Sequence, residues 1–95
     1  MPTIKFTRRF LKSFARLPKS VQEKVKKQIA AIIKQIASLA ENPRHPSLQT
    51  KPIQGADGIF EARVDIDYRM TYEREADDTL VIRVVGKHDD ALKNP

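Results

Sequence analysis

The chain has 95 residues, 40% of them hydrophobic, with no cysteine and a formal net charge of +6, which fits one small domain over residues 1–95 that buries its own core. The lack of cysteine excludes disulfides, thiolate metal sites and a cysteine nucleophile, and it agrees with a reducing cytoplasm. No stretch approaches the roughly 18 apolar residues that span a bilayer, and a charged segment follows Met1 in place of an apolar signal region, so we expect a cytoplasmic protein with no membrane partner.

The first predicted elements are a short strand and an amphipathic helix. Residues 3–6 alternate polar and apolar side chains, as a strand with one buried face does. Thr7 can cap a helix over residues 8–17, in which apolar residues recur at helical spacing. Pro18 ends this helix.

The second predicted helix is the clearest element of the sequence. Ser20 and Glu23 have the spacing of a capping box. One apolar stripe follows at helical spacing, formed by Val21, Val25, Ile29, Ile32, Ile33, Ile36 and Ala40. The helix should end at residues 42–43, because the residue before a proline is disfavoured in the α region. Three lysines lie away from the centre of the stripe: Lys24, Lys27 and Lys34.

The segment 43–58 is predicted to be a connection. It holds three of the six prolines, two of the three glycines and few apolar residues. Because a connection of this length is long for a small domain, it is a candidate functional loop.

From Ile59 onward the apolar pattern has a period of two. Strands are predicted before and after a tight reversal at residues 65–67, and a third strand at 79–85 is apolar on nearly both sides, which is typical of an interior strand. Gly86 is expected to end it, and a short polar tail follows.

The predicted fold class is α+β with the order β-α-α-β-β-β. A two-helix hairpin covers one face of a small, mainly antiparallel sheet, since the turns of the last three strands are too short for crossovers. The other face would then present a charged set, with His88 just beyond the last strand: Glu61, Arg63, Asp65, Arg69 and Glu73.

The charge distribution and this polar face indicate chemistry on a polyanion. Residues 1–58 carry +9 and residues 59–95 carry −3, and a basic half suggests a nucleic-acid partner or simply a solvated helix face. Arginine can hold a phosphate, and histidine can transfer a proton near neutral pH. Opposite charges on neighbouring strands also pair routinely, which is the structural alternative. The histidines and the acids near His88 lack a metal-ligand spacing, so no metal or other cofactor is expected.

Two segments resemble the RelE/ParE toxin superfamily: residues 60–73 (FEARVDIDYRMTYE) and residues 85–92 (VGKHDDAL). The ending is similar to the branch that contains YafQ. The resemblance implies a toxin of a type II toxin–antitoxin system that cuts messenger RNA on the ribosome without metal. It also implies a cognate antitoxin as partner, besides the ribosome and mRNA.

The resemblance assigns roles residue by residue. Arg69 matches an arginine that holds the phosphate, and Arg63 matches a basic residue on the preceding strand. Asp67 matches an acidic residue of the YafQ-like branch, and His88 matches its C-terminal catalytic histidine. We assign ribosome or RNA contacts to the helical lysines Lys24, Lys27 and Lys34.

Two departures from RelE itself keep a second reading open. Glu61 stands near a position where RelE has lysine. RelE also has a tyrosine in its C-terminal tail, whereas no aromatic residue follows Tyr72 in this sequence. A ParE-like toxin that inhibits DNA gyrase without cutting RNA is therefore the alternative, and an interaction module without toxicity is a third.

Overall fold

The computed structural model describes residues 3–34, 50–75 and 79–95, referred to below as the described residues. The predicted helix end at 42–43, Ile36 and Ala40 of the predicted stripe, and the first part of the predicted loop lie outside them. The elements in chain order are β1 (Thr3–Phe6), α1 (Arg8–Ala15), α2 (Lys19–Lys34), β2 (Thr50–Pro52), β3 (Ile59–Arg63), β4 (Tyr68–Glu75), β5 (Thr79–Lys87) and α3 (His88–Lys93).

The five strands form one sheet in the order β1-β5-β4-β3-β2. β1 lies parallel to β5, and every other neighbouring pair is antiparallel. β5 has a partner strand on both sides. Its sequence is apolar in both parities because both of its faces are covered: Leu80, Ile82 and Val85 lie in the main core, and Val81 and Val84 are buried outside it. The predicted α+β class and mainly antiparallel sheet are confirmed.

Thr7 joins the start of α1 to the sheet. Its Oγ1 accepts a hydrogen bond from the N–H of Phe10 at 3.0 Å, as predicted for the cap, and donates to the carbonyl of Arg83 at 2.6 Å. Ser13, one turn further along α1, accepts from the N–H of Val85 at 3.2 Å. These bonds hold α1 beside the part of β5 that extends past β1.

The main core lies between the helices and one face of the sheet. The helices contribute Phe10, Val21, Val25 and Ile32, and the sheet contributes Ala62, Met70, Tyr72, Leu80, Ile82 and Val85. The described part of the predicted α2 stripe therefore packs as expected. No helix among the described residues is long and apolar enough to cross a membrane.

Three local expectations are wrong. α2 begins at Lys19, one residue before the predicted cap, and the carbonyl of Pro18 accepts from the N–H groups of Val21 and Gln22, so Ser20 lies inside the helix. The predicted connection contains the edge strand β2, and Gly55 and Gly58 adopt φ values of 84° and 77° in the turn to β3, which favour glycine. β5 continues through Gly86 to Lys87, and α3 follows it directly.

The second face of the sheet is partly covered by the C-terminal segment. The carbonyl of Pro95 accepts hydrogen bonds from Thr71 Oγ1 and Arg83 Nε, each at 3.0 Å. Thr71 is fully buried there, and a small apolar group outside the main core is buried too: Val81, Val84 and Ala91. The expectation of a fully open charged face is thus wrong for the centre of the sheet.

Candidate functional site

The turn between β3 and β4 is organised by Asp65. One carboxylate oxygen accepts from the N–H groups of Asp67 at 2.8 Å and Tyr68 at 2.9 Å, and Lys24 Nζ donates to the other at 3.3 Å. Partial burial acts to raise the pKa of Asp65, but the two backbone hydrogen bonds and the Lys24 ammonium outweigh it and hold this pKa below its ordinary value. The ionised carboxylate therefore fixes the turn that carries Asp67.

Arg69 clamps the same turn from β4. Its Nη1 donates to the carbonyls of Asp65 at 2.6 Å and Tyr68 at 3.0 Å, with a longer contact to Ile66 at 3.4 Å. The other two guanidinium nitrogens, Nε and Nη2, make no hydrogen bond to a described residue. One nitrogen thus anchors the side chain, while the remaining edge can still hold a phosphate oxygen.

Asp67 and His88 meet at the end of β5. The N–H of His88 donates to the carbonyl of Asp67 at 2.9 Å, and both residues line an open cleft of about 610 Å³. The cleft is also lined by Ile66, Tyr68, Lys87, Asp89 and Asp90. The His88 side chain is about half exposed, and its Nδ1 lies 3.1 Å from Asp89 Oδ1. Among the described residues Nε2 has no hydrogen-bond partner, so it can exchange a proton with a ligand in the cleft.

The two arginines lie two rows away from Asp67 and His88 along the same strands of the sheet. Arg63 on β3 is directly opposite Arg69 on β4, and Arg69 is opposite Gly86 on β5. Tyr68 and Lys87 form the next pair, and Asp67 and His88 follow. The four residues predicted to be catalytic are therefore brought together at one end of β3, β4 and β5.

The predicted lysine surface is separate from this row. Lys24, Lys27 and Lys34 are exposed on α2, which packs on the other face of the sheet. Lys24 is nevertheless linked to the site, because it forms the ion pair with Asp65.

Glu61 differs from its prediction as an exposed member of the charged face. Only 6% of the residue is exposed, and one carboxylate oxygen pairs with Lys51 Nζ at 3.1 Å. The other oxygen, Oε2, is buried without a hydrogen-bond partner among the described residues. Glu61 lies opposite Thr71 on β4, under the region that the C-terminal segment covers. Its alternating position gave no sign of this burial, because the covering segment is remote in sequence.

Side chains outside the predicted set also contribute to the site. Tyr68, Lys87 and Asp90 line the cleft beside Asp67 and His88. Lys87 and Asp90 are close to His88 in the sequence, and this proximity could have predicted that they belong to the site. Within the described residues, no group of three histidine or acidic side chains is arranged as a metal site would be.

The chain is a small α+β protein with a polar cleft at one end of its sheet. A family model described as the ParE toxin of the type II toxin–antitoxin system, parDE, matches residues 4–92. The chain belongs to this family, within the RelE/ParE toxin superfamily, and it is a type II toxin. No curated protein matches the chain closely enough to count as a relative.

Solved structures share the fold over nearly the whole chain. The RelB–RelE antitoxin–toxin complex from Methanococcus jannaschii has a TM-score of 0.68 at 22% identity and covers 96% of this chain and 99% of that one. The intact E. coli RelBE complex has a TM-score of 0.67 at 21% identity, with 92% and 96% covered. The E. coli DinJ–YafQ complex has a TM-score of 0.61 at 20% identity, with 95% and 97% covered. At these identities the likeness shows the fold.

Proposed function

We propose that this toxin is a metal-independent endoribonuclease that cuts messenger RNA on the ribosome. The observation that carries the proposal is that Asp67 and His88 share a cleft at the end of the sheet where the arginine pair Arg63 and Arg69 also lies, two rows away. Metal-free RNA cleavage needs groups that transfer protons and groups that stabilise charge on the phosphate, and this arrangement supplies both.

In the proposed reaction a 2′-hydroxyl attacks the adjacent phosphorus, and the bond from phosphorus to the 5′-oxygen breaks. The products carry a 2′,3′-cyclic phosphate and a 5′-hydroxyl. One proton leaves the attacking hydroxyl and one reaches the leaving oxygen, so an acid and a base are needed. His88 acts as the general acid or base, and Asp67 orients it or takes part in the proton transfer. Arg69, through Nε and Nη2, grips the phosphate, and Arg63 assists.

The proposed partners follow from the proposed toxin function. RelB is bound to RelE and DinJ to YafQ in the solved complexes of similar fold, and we propose a cognate antitoxin for this chain. The ribosome and mRNA are the proposed targets, which places the protein in the cytoplasm. Lys24, Lys27 and Lys34 are proposed to contact ribosomal RNA through its phosphates.

The test is to add the purified protein to a translating extract and to map the ends of a defined message by primer extension. New ends inside the reading frame are expected, and they should disappear when initiation is blocked. A matched pair of variants assigns the site: His88→Ala should abolish the new ends, whereas Lys93→Ala, on the same helix, should not. Intact messages throughout, or a requirement for a divalent metal beyond that of the ribosome, would refute the proposal.

One observation favours a second candidate, inhibition of DNA gyrase without RNA cleavage. Arg69 has a structural role of its own, because Nη1 binds the carbonyls of the β3–β4 turn, and such an arginine needs no phosphate to account for it. Gyrase supercoiling assays with the same protein separate the two functions. Inhibited supercoiling with uncut messages would establish this second candidate.

A further inference from the structure

A second open cleft of about 540 Å³ lies between α1 and α3. Arg9 and Arg16 line it from the α1 side, and Lys87 and Asp90 line it from the end of β5 and the start of α3. Tyr68 lies on its wall as well.

The cleft carries an excess of positive charge that the described residues leave without a partner. Arg9, Arg16 and Lys87 are exposed, and none forms a hydrogen bond or ion pair with another described residue through its side chain. Asp90 is the one acidic residue among those described that line the cleft. Lys5, by contrast, is paired with Glu75. Three cations against one carboxylate make an anion the complementary ligand.

This cleft is continuous with the candidate site. Tyr68, Lys87 and Asp90 line both the α1–α3 cleft and the cleft of Asp67 and His88. Among the described residues, Lys87 is the one lysine or arginine that lines both clefts, so a ligand that extends from Arg9 and Arg16 towards His88 passes it. A polynucleotide strand, with one phosphate for each residue, can place a negative charge at each of these three cations.

The accessible surface of the cleft favours RNA over an acidic protein segment. Its apolar floor residues Val84, Val85 and Ala91 are only 6%, 2% and 1% exposed, so they offer little surface to the apolar side chains that anchor a protein partner. The accessible groups are the cationic heads of Arg9, Arg16 and Lys87 and the half-buried side chains of Leu17 and Tyr68. Cations beside an aromatic ring are what proteins use to bind single-stranded nucleic acid.

We infer that the α1–α3 cleft binds the phosphate backbone of the RNA strand next to the position of cleavage, with Arg9, Arg16 and Lys87 as the phosphate contacts. The identity of the strand as the substrate rests on the proposed function. The cleft's affinity for an RNA backbone does not require that any bond be cut, so the two can be tested separately.

The experiment is fluorescence anisotropy of a short labelled single-stranded oligoribonucleotide with the full chain, over a range of salt concentrations. The double variant Arg9→Gln/Arg16→Gln is compared with Lys5→Gln/Lys26→Gln, which makes the same change in net charge at exposed lysines outside both clefts. Circular dichroism verifies that both variants are folded.

The cleft variant should bind more weakly, and its affinity should depend less on salt. Each phosphate contact on a single strand contributes about 0.7 to the slope of log K against log salt, so losing two should reduce the slope by about 1.4 and the affinity roughly 20-fold at about 0.1 M salt. The control variant should retain the slope of the unaltered chain. If the variants differ in RNA binding in this way but the protein cuts no message, the inference about the cleft is supported and the proposed nuclease activity is contradicted.

Three outcomes overturn the inference. The first is that the unaltered chain fails to bind RNA. The second is that both variants show the same loss of affinity and of salt dependence. The third is that the cleft variant keeps RNA binding but loses the ability to bind a polyglutamate peptide. The last would assign the cleft to an acidic protein segment. If the cleft variant binds RNA with the same affinity as the control variant and still cuts messages, only this inference is wrong, and the proposed nuclease activity stands.

Discussion

Replacement of Arg69 by alanine should destabilise the fold, whatever it does to activity. Nη1 makes two short hydrogen bonds to turn carbonyls, at 2.6 and 3.0 Å, and a third contact at 3.4 Å that is too long to count fully. Two hydrogen bonds of this kind contribute roughly 1–3 kcal/mol together, and partial solvent exposure of the site favours the middle of that range. We expect a loss of about 2 kcal/mol, which corresponds to a decrease in Tm of roughly 8–16 °C for a domain of this size.

The measurement is urea unfolding followed by circular dichroism for Arg69→Ala and, as a matched control, Arg63→Ala. Arg63 is the residue directly opposite on β3, and its side chain is exposed, so the loss of its surface contacts should change the free energy of unfolding by at most about 1 kcal/mol. Arg69→Lys should fall between the two, because an ammonium can reach fewer of the carbonyls. If Arg69→Ala is no less stable than Arg63→Ala, the hydrogen bonds from Arg69 to the turn carbonyls do not stabilise the fold.

Further predictions concern the turn, the C-terminal segment and the helical lysines. The folded pKa of Asp65 is below its ordinary value of 3.8, so its stabilising effect should be complete above about pH 5 and should be lost as the pH falls through 3.8 and then through the lower folded pKa. The difference in unfolding free energy between the wild type and Asp65→Asn should therefore shrink on acidification. A difference that stays constant with pH would contradict this. Thr71→Val removes the hydroxyl that donates to the Pro95 carbonyl and should lower stability by about 1 kcal/mol in urea unfolding; an unchanged midpoint would mean that the segment is not held there. Charge reversal at Lys24, Lys27 and Lys34 should weaken cosedimentation with ribosomes at low salt, and equal binding would make these lysines a solvated face.

The local elements were predictable because short-range chemistry determines them. The cap at Thr7, the apolar stripe of α2 and the period-two strands each record burial on one face in the sequence itself. β2 was missed because three residues that include Pro52 carry too little pattern. α3 was missed too, although its two acids at the start and Lys93 at the end match the helix dipole and were a usable signal.

The arrangement of the site was predictable only in part. The neighbouring positions of Asp67 and His88 follow from strand order, since a tight turn and an antiparallel partner bring them to the same end of the sheet. The three carbonyl contacts of Arg69 depend on the exact path of the turn, which no spacing encodes. The burial of Glu61 depends on a C-terminal segment that returns across the sheet, and alternation along β3 carries no information about it. The α1–α3 cleft likewise joins residues that are distant in sequence.

The most direct test of the nuclease is the rate of message cleavage on ribosomes programmed with a defined mRNA, measured under single-turnover conditions for the wild type, His88→Ala and Lys93→Ala. Removal of a proton-transfer group should lower the rate about 10²–10⁴-fold, so His88→Ala should show this loss while Lys93→Ala cleaves at the wild-type rate. Circular dichroism should show both variants folded, because both side chains are exposed. Cleavage by His88→Ala at the wild-type rate, or no cleavage by the wild type, would contradict the proposed site and function.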